Sequence, residues 1–209
     1  MPVNLYNDQT FLKSDIRKGV IRSVSGTRMC ALTSDFFLGL RRALEHECGP
    51  ASDEVLKKCG ANWGRRFAKR FQEETAERHE QDFSEQSLSM FLANLTAAFS
   101  LHGLGRLAMD LTHYDQGLLS AEVLHAPMAD ILKKSDRPAD PMLAGVLGGL
   151  FSHLSGQDLD CMQTECSACG AKASCFLIGL QARLQPVPAL IAQKRGHEFI
   201  VAQLARTRA

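Results

Sequence analysis

"GVLGGLFSHLSGQDLDCMQTECSACGAKASCFLIG", residues 145–179, changes character three times. The run from Pro141 to Leu154 is small and apolar, with glycines at 145, 148 and 149. It reads as a helix laid tightly against a sheet, because a residue without Cβ lets backbones approach. Two extended segments follow, at 159–164 and 174–180, bounded by turn-forming residues. Between them lies Cys166-Ser-Ala-Cys169-Gly170, a CxxC turn closed by glycine.

That turn and its flanks hold four of the seven cysteines: Cys161, Cys166, Cys169 and Cys175. A CxxC turn aims two sulfurs at one point, and its backbone N–H groups stabilise their charge. Cys161 and Cys175 supply two further sulfurs, enough for a tetrahedral metal site. Zinc and an iron–sulfur cluster use the same four ligands, and spacing alone does not choose between them. A redox dithiol needs only Cys166 and Cys169, but the strand-then-helix setting of thioredoxin-like sites is missing. Four unliganded thiols on a hairpin complete the alternatives. Cys30, Cys48 and Cys59 are isolated and adjoin apolar positions, which predicts small buried hydrophobes.

Upstream, the texture is helical. "SDFFLGLRRALEHEC", 34–48, carries apolar residues at three- and four-residue steps and is stopped by Gly49-Pro50. "GTRMCALT" before it reads as a short strand. A longer helix is predicted from Ser52 to His79, with Val55, Cys59, Trp63, Phe67 and Phe71 along one stripe. Gly60 and Gly64 lie within it and admit close approach of another element. Arg65, Arg66, Lys69 and Arg70 form a solvated face. A third helix is expected from Ser84 to Leu101, burying Leu88, Phe91, Leu92, Leu95 and Phe99. "RLAMDLTHY" and "LLSAEVLHA" flank "DQG" and predict a β-hairpin over 106–125. After "QPVP" at 185–188, the end of the chain reads as an amphipathic helix bent near Gly196. The fold class is therefore α+β: N-terminal helices followed by an antiparallel sheet with a glycine-rich helix packed on it.

The totals exclude several classes. A net charge of +1 over 209 residues gives no electrostatic footprint for nucleic acid or an anionic membrane. The start of the chain lacks the basic-then-apolar pattern of a signal peptide. No apolar run reaches the ~20 residues of a membrane helix. These features predict a cytoplasmic protein, where thiols stay reduced. No phosphate loop, nucleophile–base pair or DNA-binding motif is evident, so an enzymatic role stays open and a binding role leads.

The stretch quoted at the outset resembles the 4-vinyl reductase domain family. The shared pattern is a glycine-spotted helix (Gly145, Gly149, Ser152), Gly156, a strand, then Cys166, Ala168 and Gly170, and a closing Cys175-Phe176 strand. "GTRMCALTSDFFLGLRRAL" and "CGANWGRRF" fit the same run of events. The resemblance spans about residues 25–182 and places a ligand-binding domain at 1–185, with a C-terminal helical appendage at 186–209. It implies a mixed fold shared with the effector-sensing domains of aromatic-catabolism activators and with TRAPP subunits. A homodimer and a hydrophobic cavity between helices and sheet go with that fold. In the aromatic-sensing relatives it also implies a structural zinc held by three cysteines and a glutamate. Cys166 and Cys175 match two of those ligands. The glutamate position is Gln163 here, the upstream cysteine position falls on Asp140, and the Gly170–Cys175 gap is one residue longer. The expected ligand set is therefore Cys161, Cys166, Cys169 and Cys175, with zinc as the metal and an iron–sulfur cluster as the alternative.

The expected function is binding of a hydrophobic or aromatic molecule, with a tetrapyrrole such as a chlorophyll precursor implied by the family name. Trp63, Phe67, Phe71, Phe91 and Phe99 are the expected cavity lining, although such a stripe equally fills a core. Two alternatives stand beside it: an accessory factor or reductase component of tetrapyrrole metabolism, and a TRAPP-like scaffold.

Overall fold

The structure is a computed structural model and describes residues 11–79 and 83–206. The first ten residues, read above for a signal peptide, and residues 207–209 lie outside that range. Two strands that the sequence reading missed, β1 (Leu12–Asp15) and β2 (Val20–Ser23), pair antiparallel, and β3 (Arg28–Met29) adds to β2. They are four residues or fewer and largely exposed, so they carry no apolar alternation to find.

Helix α1 (Ser34–Cys48) runs as expected and ends at Gly49. A short 3-10 turn leads into α2 (Ser52–His79). The third helix, α3 (Leu88–Leu101), starts four residues later than the pattern suggested. Ser87 caps it, its hydroxyl accepting the Met90 N–H at 3.3 Å, and Phe83–Glu85 forms a separate 3-10 turn.

Strands β4 (Arg106–Asp110), β5 (Leu118–Leu124), β6 (Leu159–Glu165) and β7 (Ser174–Leu180) form an antiparallel sheet in the order β4-β5-β7-β6. A short helix, α4 (Pro127–Leu132), and the glycine-rich α5 (Pro141–Ser155) connect β5 to β6. The chain closes with α6 (Gln181–Leu184), α7 (Val187–Ala192) and α8 (His197–Arg206).

Each sheet face is covered. Phe176, Ile178 and Cys161 pack with α5 and α2 in the larger core; Leu177 and Leu118 pack with Leu184, Val187, Leu190, Ile200 and Leu204 in a second core. Successive side chains of a strand point to opposite faces, so β7 serves both layers. The C-terminal segment, read as an appendage, thus forms the second layer over the sheet. Glu165 anchors it, accepting the His197 N–H at the start of α8 at 2.8 Å.

The glycines of α5 divide between two partners. Only Gly148 faces the sheet, where an added Cβ would sit 3.4 Å from that of Cys161. Gly145 and Gly149 face α2 instead, correcting the expectation that all three serve the sheet. A Cβ on Gly145 would overlap the Lys57 carbonyl, and one on Gly149 the Ala61 carbonyl. From the other side, Gly60 and Gly64 meet the carbonyls of Met142 and Val146. Backbone meets backbone across this crossing. Lys57 adds an ion pair to Asp160 of β6 at 2.6 Å.

Replacement of Gly60 or Gly149 by alanine should cost at least about 2 kcal/mol, because a backbone carbonyl cannot rotate away as a side chain can. Gly148→Ala, at ordinary contact distance, should cost less than about 1 kcal/mol. Urea denaturation of the three variants checks the ranking, and equal losses would remove the crossing from its central place.

Candidate functional site

Between α1, the start of α5, α4 and the N-terminal strands lies a cavity of about 610 Å³. That volume falls inside the range of small-molecule sites, ~300–1,000 Å³. Its apolar wall includes Met29, Phe37, Leu56, Trp63, Ile131, Met142 and Val146. It exists because α1 stands off from the rest. Of the fifteen residues of α1, Arg41 is the one buried.

Few polar groups enter the wall. Arg41 is 7% exposed; its Nε donates to Glu45 at 3.0 Å and its Nη1 to the Ala139 carbonyl at 2.8 Å. Asp140 is 1% exposed, and its two carboxylate oxygens accept the N–H groups of Met128 (2.7 Å) and Ala129 (3.2 Å). Burial raises its carboxyl to about 6, against the pull of those hydrogen bonds and of Arg41. His102 packs edge-on against Phe67 and Phe11, with its Nδ1 2.8 Å from the Ala98 carbonyl. Nearer solvent, His125 Nδ1 lies 3.0 Å from Asp130.

Of the five aromatic residues expected to line a cavity, Trp63 does so. Phe67, Phe71 and Phe99 are buried in the main core, Phe67 stacked on Phe71 and edge-on to Phe99. Phe91 packs edge-on to Phe71 and Phe83. One stripe of α2 thus splits: Val55 and Cys59 are exposed, Trp63 faces the cavity, and Phe67 and Phe71 face α3. Arg41 and His102 escaped the sequence reading because each sits among residues of unremarkable local pattern; Asp140 was met there only as the position that the resemblance aligns with a metal-ligating cysteine.

The four clustered cysteines do not converge on one point. Cys161 shares the α5 face with Phe176 and Ile178, whereas Cys175 alternates with them on β7 and faces α8. A bulge between Gln163 and Glu165 turns Thr164 toward His197, 2.7 Å away, and sets Glu165 beside Cys175. Cys166 is buried at the turn and Cys169 is exposed beside it, the two thiols in contact. Burial pushes all three of Cys161, Cys169 and Cys175 upward, Cys169 to about 11 with help from Cys166, and Cys175 to about 12 with help from Glu165 and Glu122. Among the described residues, no three His, Cys, Asp or Glu side chains converge as metal ligands. The donor set implied by the resemblance does not fit either: the Gln163 amide is neutral, and Asp140 has both oxygens on backbone N–H groups. Cys30 and Cys59 are exposed rather than buried, and Cys30 lies on the cavity wall.

No protein-family model and no curated protein matches the chain. Solved structures do. The phenol-responsive sensory domain of the transcription activator PoxR, with phenol, superposes with a TM-score of 0.70 at 19% identity, over 90% of this chain and 94% of that one. A trafficking protein particle complex subunit 3 from Naegleria fowleri, covalently bound to palmitic acid, gives 0.51 at 16% identity, over 71% and 95%. A vinyl-4-reductase family protein from Methanocaldococcus jannaschii gives 0.49 at 16%, over 72% and 82%. The fold is the one that the PoxR sensory domain has. None of the helices described is long and apolar enough to cross a membrane.

His102 makes one contribution to the pH response of the site, opposed by the raised carboxyl of Asp140. Its burial lowers its pKa below 6.5, outweighing the Ala98 hydrogen bond and Glu74, with Arg70 adding to the depression. A histidine held neutral in the fold takes up its proton more readily when unfolded. The contribution of His102 to stability is therefore full above about pH 6.5 and falls as pH drops toward the folded value. His102→Phe should flatten the fall between pH 7 and 5 in urea titrations, and an unchanged slope would place its origin elsewhere.

Proposed function

We propose that this chain is a sensory or carrier domain that binds a hydrophobic, aromatic small molecule in the cavity beside α1. The observation that carries the reading is the cavity itself: about 610 Å³, mostly apolar, with buried Arg41 and Asp140 and half-buried His102 as polar groups in its wall. Apolar walls supply affinity by removing the ligand from water, and a few polar groups fix its orientation. The PoxR sensory domain, which shares the fold, is described with phenol, so phenol and alkylphenols are the first ligands to test. The tetrapyrrole implied by the sequence resemblance belongs in the same titration as the larger candidate. Zinc and iron–sulfur chemistry form no part of this reading, because the thiols do not assemble a donor set.

Calorimetric titration of phenol, 2-naphthol and a porphyrin into the purified chain tests it. Binding of at least one should be saturable and lost in Met142→Trp, which fills the cavity from α5 with little change to the core. A wild-type chain that binds none of them, or a Met142→Trp chain that binds as well, would defeat the proposal.

A homodimer through α1 is the second part of the reading. A helix with apolar residues at three- and four-residue steps is expected to bury that face, yet Phe36 is 49% and Leu40 39% exposed. Light scattering should give twice the chain mass for the wild type and the single mass for Phe36→Asp/Leu40→Asp. A monomeric wild type at tens of micromolar would end this part.

A further inference from the structure

One wall of the cavity is α4, a helix of six residues. A helix this short does not hold itself in water. It is also bounded by two non-glycine residues in the left-handed region, His125 (φ 59°) and Lys133 (φ 61°), a conformation that L side chains adopt at a cost. Yet Pro127, Met128, Asp130 and Ile131 of α4 line the cavity. Something outside the segment must keep it there.

Ala126, at the N-cap, offers no side-chain acceptor. The cap comes from the other end of the connection. The Asp140 carboxylate takes the Met128 and Ala129 N–H groups, at 2.7 and 3.2 Å. The Asp140 N–H in turn donates to Gln163 Oε1 of β6 at 2.9 Å, inside the buried layer. After α4, Ser135 N–H donates to the Ala168 carbonyl of the CxxC turn at 2.8 Å. The helix is thus tied to the rigid sheet at both ends, through Asp140 to Gln163 and through Ser135 to the turn.

We infer that Asp140 is the positioning residue of the binding site: it sets α4 against the cavity through the Gln163–Asp140–Met128/Ala129 hydrogen bonds, without a metal. Residues 140 and 163 are the two of the four implied metal-ligand positions at which this chain departs from the resemblance. Here a direct hydrogen bond joins them, so α4 hangs on an aspartate rather than on a coordinated ion. The inference concerns the site assigned above and rests on that reading only for its ligand readout.

Hydrogen exchange on the ligand-free chain tests the latch. In Asp140→Ala, the peptide covering 125–135 should exchange at least tenfold faster, while peptides of β5, β7 and α5 keep wild-type rates. Asp140→Asn retains one acceptor oxygen and should fall between the two. Gln163→Leu, which leaves the carboxylate in place, should loosen α4 less than Asp140→Ala, and it serves if the alanine variant does not fold. A chelator should leave α4 exchange in the wild type unchanged. Faster exchange spread evenly over the chain, no change at α4, or α4 protection that a chelator removes and zinc restores would each overturn the inference.

The phenol titration of the same variants separates this from the proposed function. If the wild type binds phenol, Asp140→Ala should weaken it at least tenfold, with Asp140→Asn recovering part of the loss. If the wild type binds no ligand, the exchange result still decides the role of Asp140.

Discussion

Contact between bare backbones at the crossing of α2 and α5 governs where everything else can sit. Gly60 and Gly64 on one helix and Gly145 and Gly149 on the other leave no Cβ to keep the axes apart. With α5 pressed between α2 and the sheet, α2 becomes a second layer over β6 and β7. Its aromatic stripe is then divided: Phe67 and Phe71 fall over α3, and Trp63 reaches the cavity. Glycine in a helix costs ~1 kcal/mol against alanine, and four of them are kept here where the packing has no room for a methyl group.

The cavity is a consequence of what does not pack. Helices α2, α3 and α5 close the main core, and α1 stands outside it with an arginine as its single buried residue. The space between is walled on one side by α4, a segment too short and too strained at its ends to define its own position. Buried hydrogen bonds from Asp140 take over where apolar contact is thin. Charge is economical in this region: Arg41 is held by Glu45 and the Ala139 carbonyl, and Arg137 pairs with Glu45 and Asp53 around the same corner. Buried donors and acceptors that are already matched lower the cost of keeping an otherwise apolar pocket.

Helices α1, α2 and α5 and the strands β4 to β7 were legible because each carries a strong local signal: apolar residues at helical spacing, or short alternating runs between turn residues. Strands β1 and β2 were not, since their residues are mostly exposed. The cysteine cluster shows the other limit. Cys161, Cys166, Cys169 and Cys175 are close in sequence, but strand alternation and the bulge at Thr164 send Cys161 and Cys175 to opposite sides of the sheet. Proximity along a strand does not settle which face a side chain takes.

The sequence by itself determined the α+β class, the order of its main elements and the glycines that permit a tight helix crossing, because periodicity and missing Cβ atoms act locally. Tertiary structure alone decided that Gly145 and Gly149 serve α2, that the cysteines part, and that Asp140 reaches back to cap α4 from beyond its C-terminal end. It also placed the cavity at α1 rather than along the aromatic stripe. Each of these depends on which surfaces meet across long stretches of chain, and no local pattern of residue types encodes that distance.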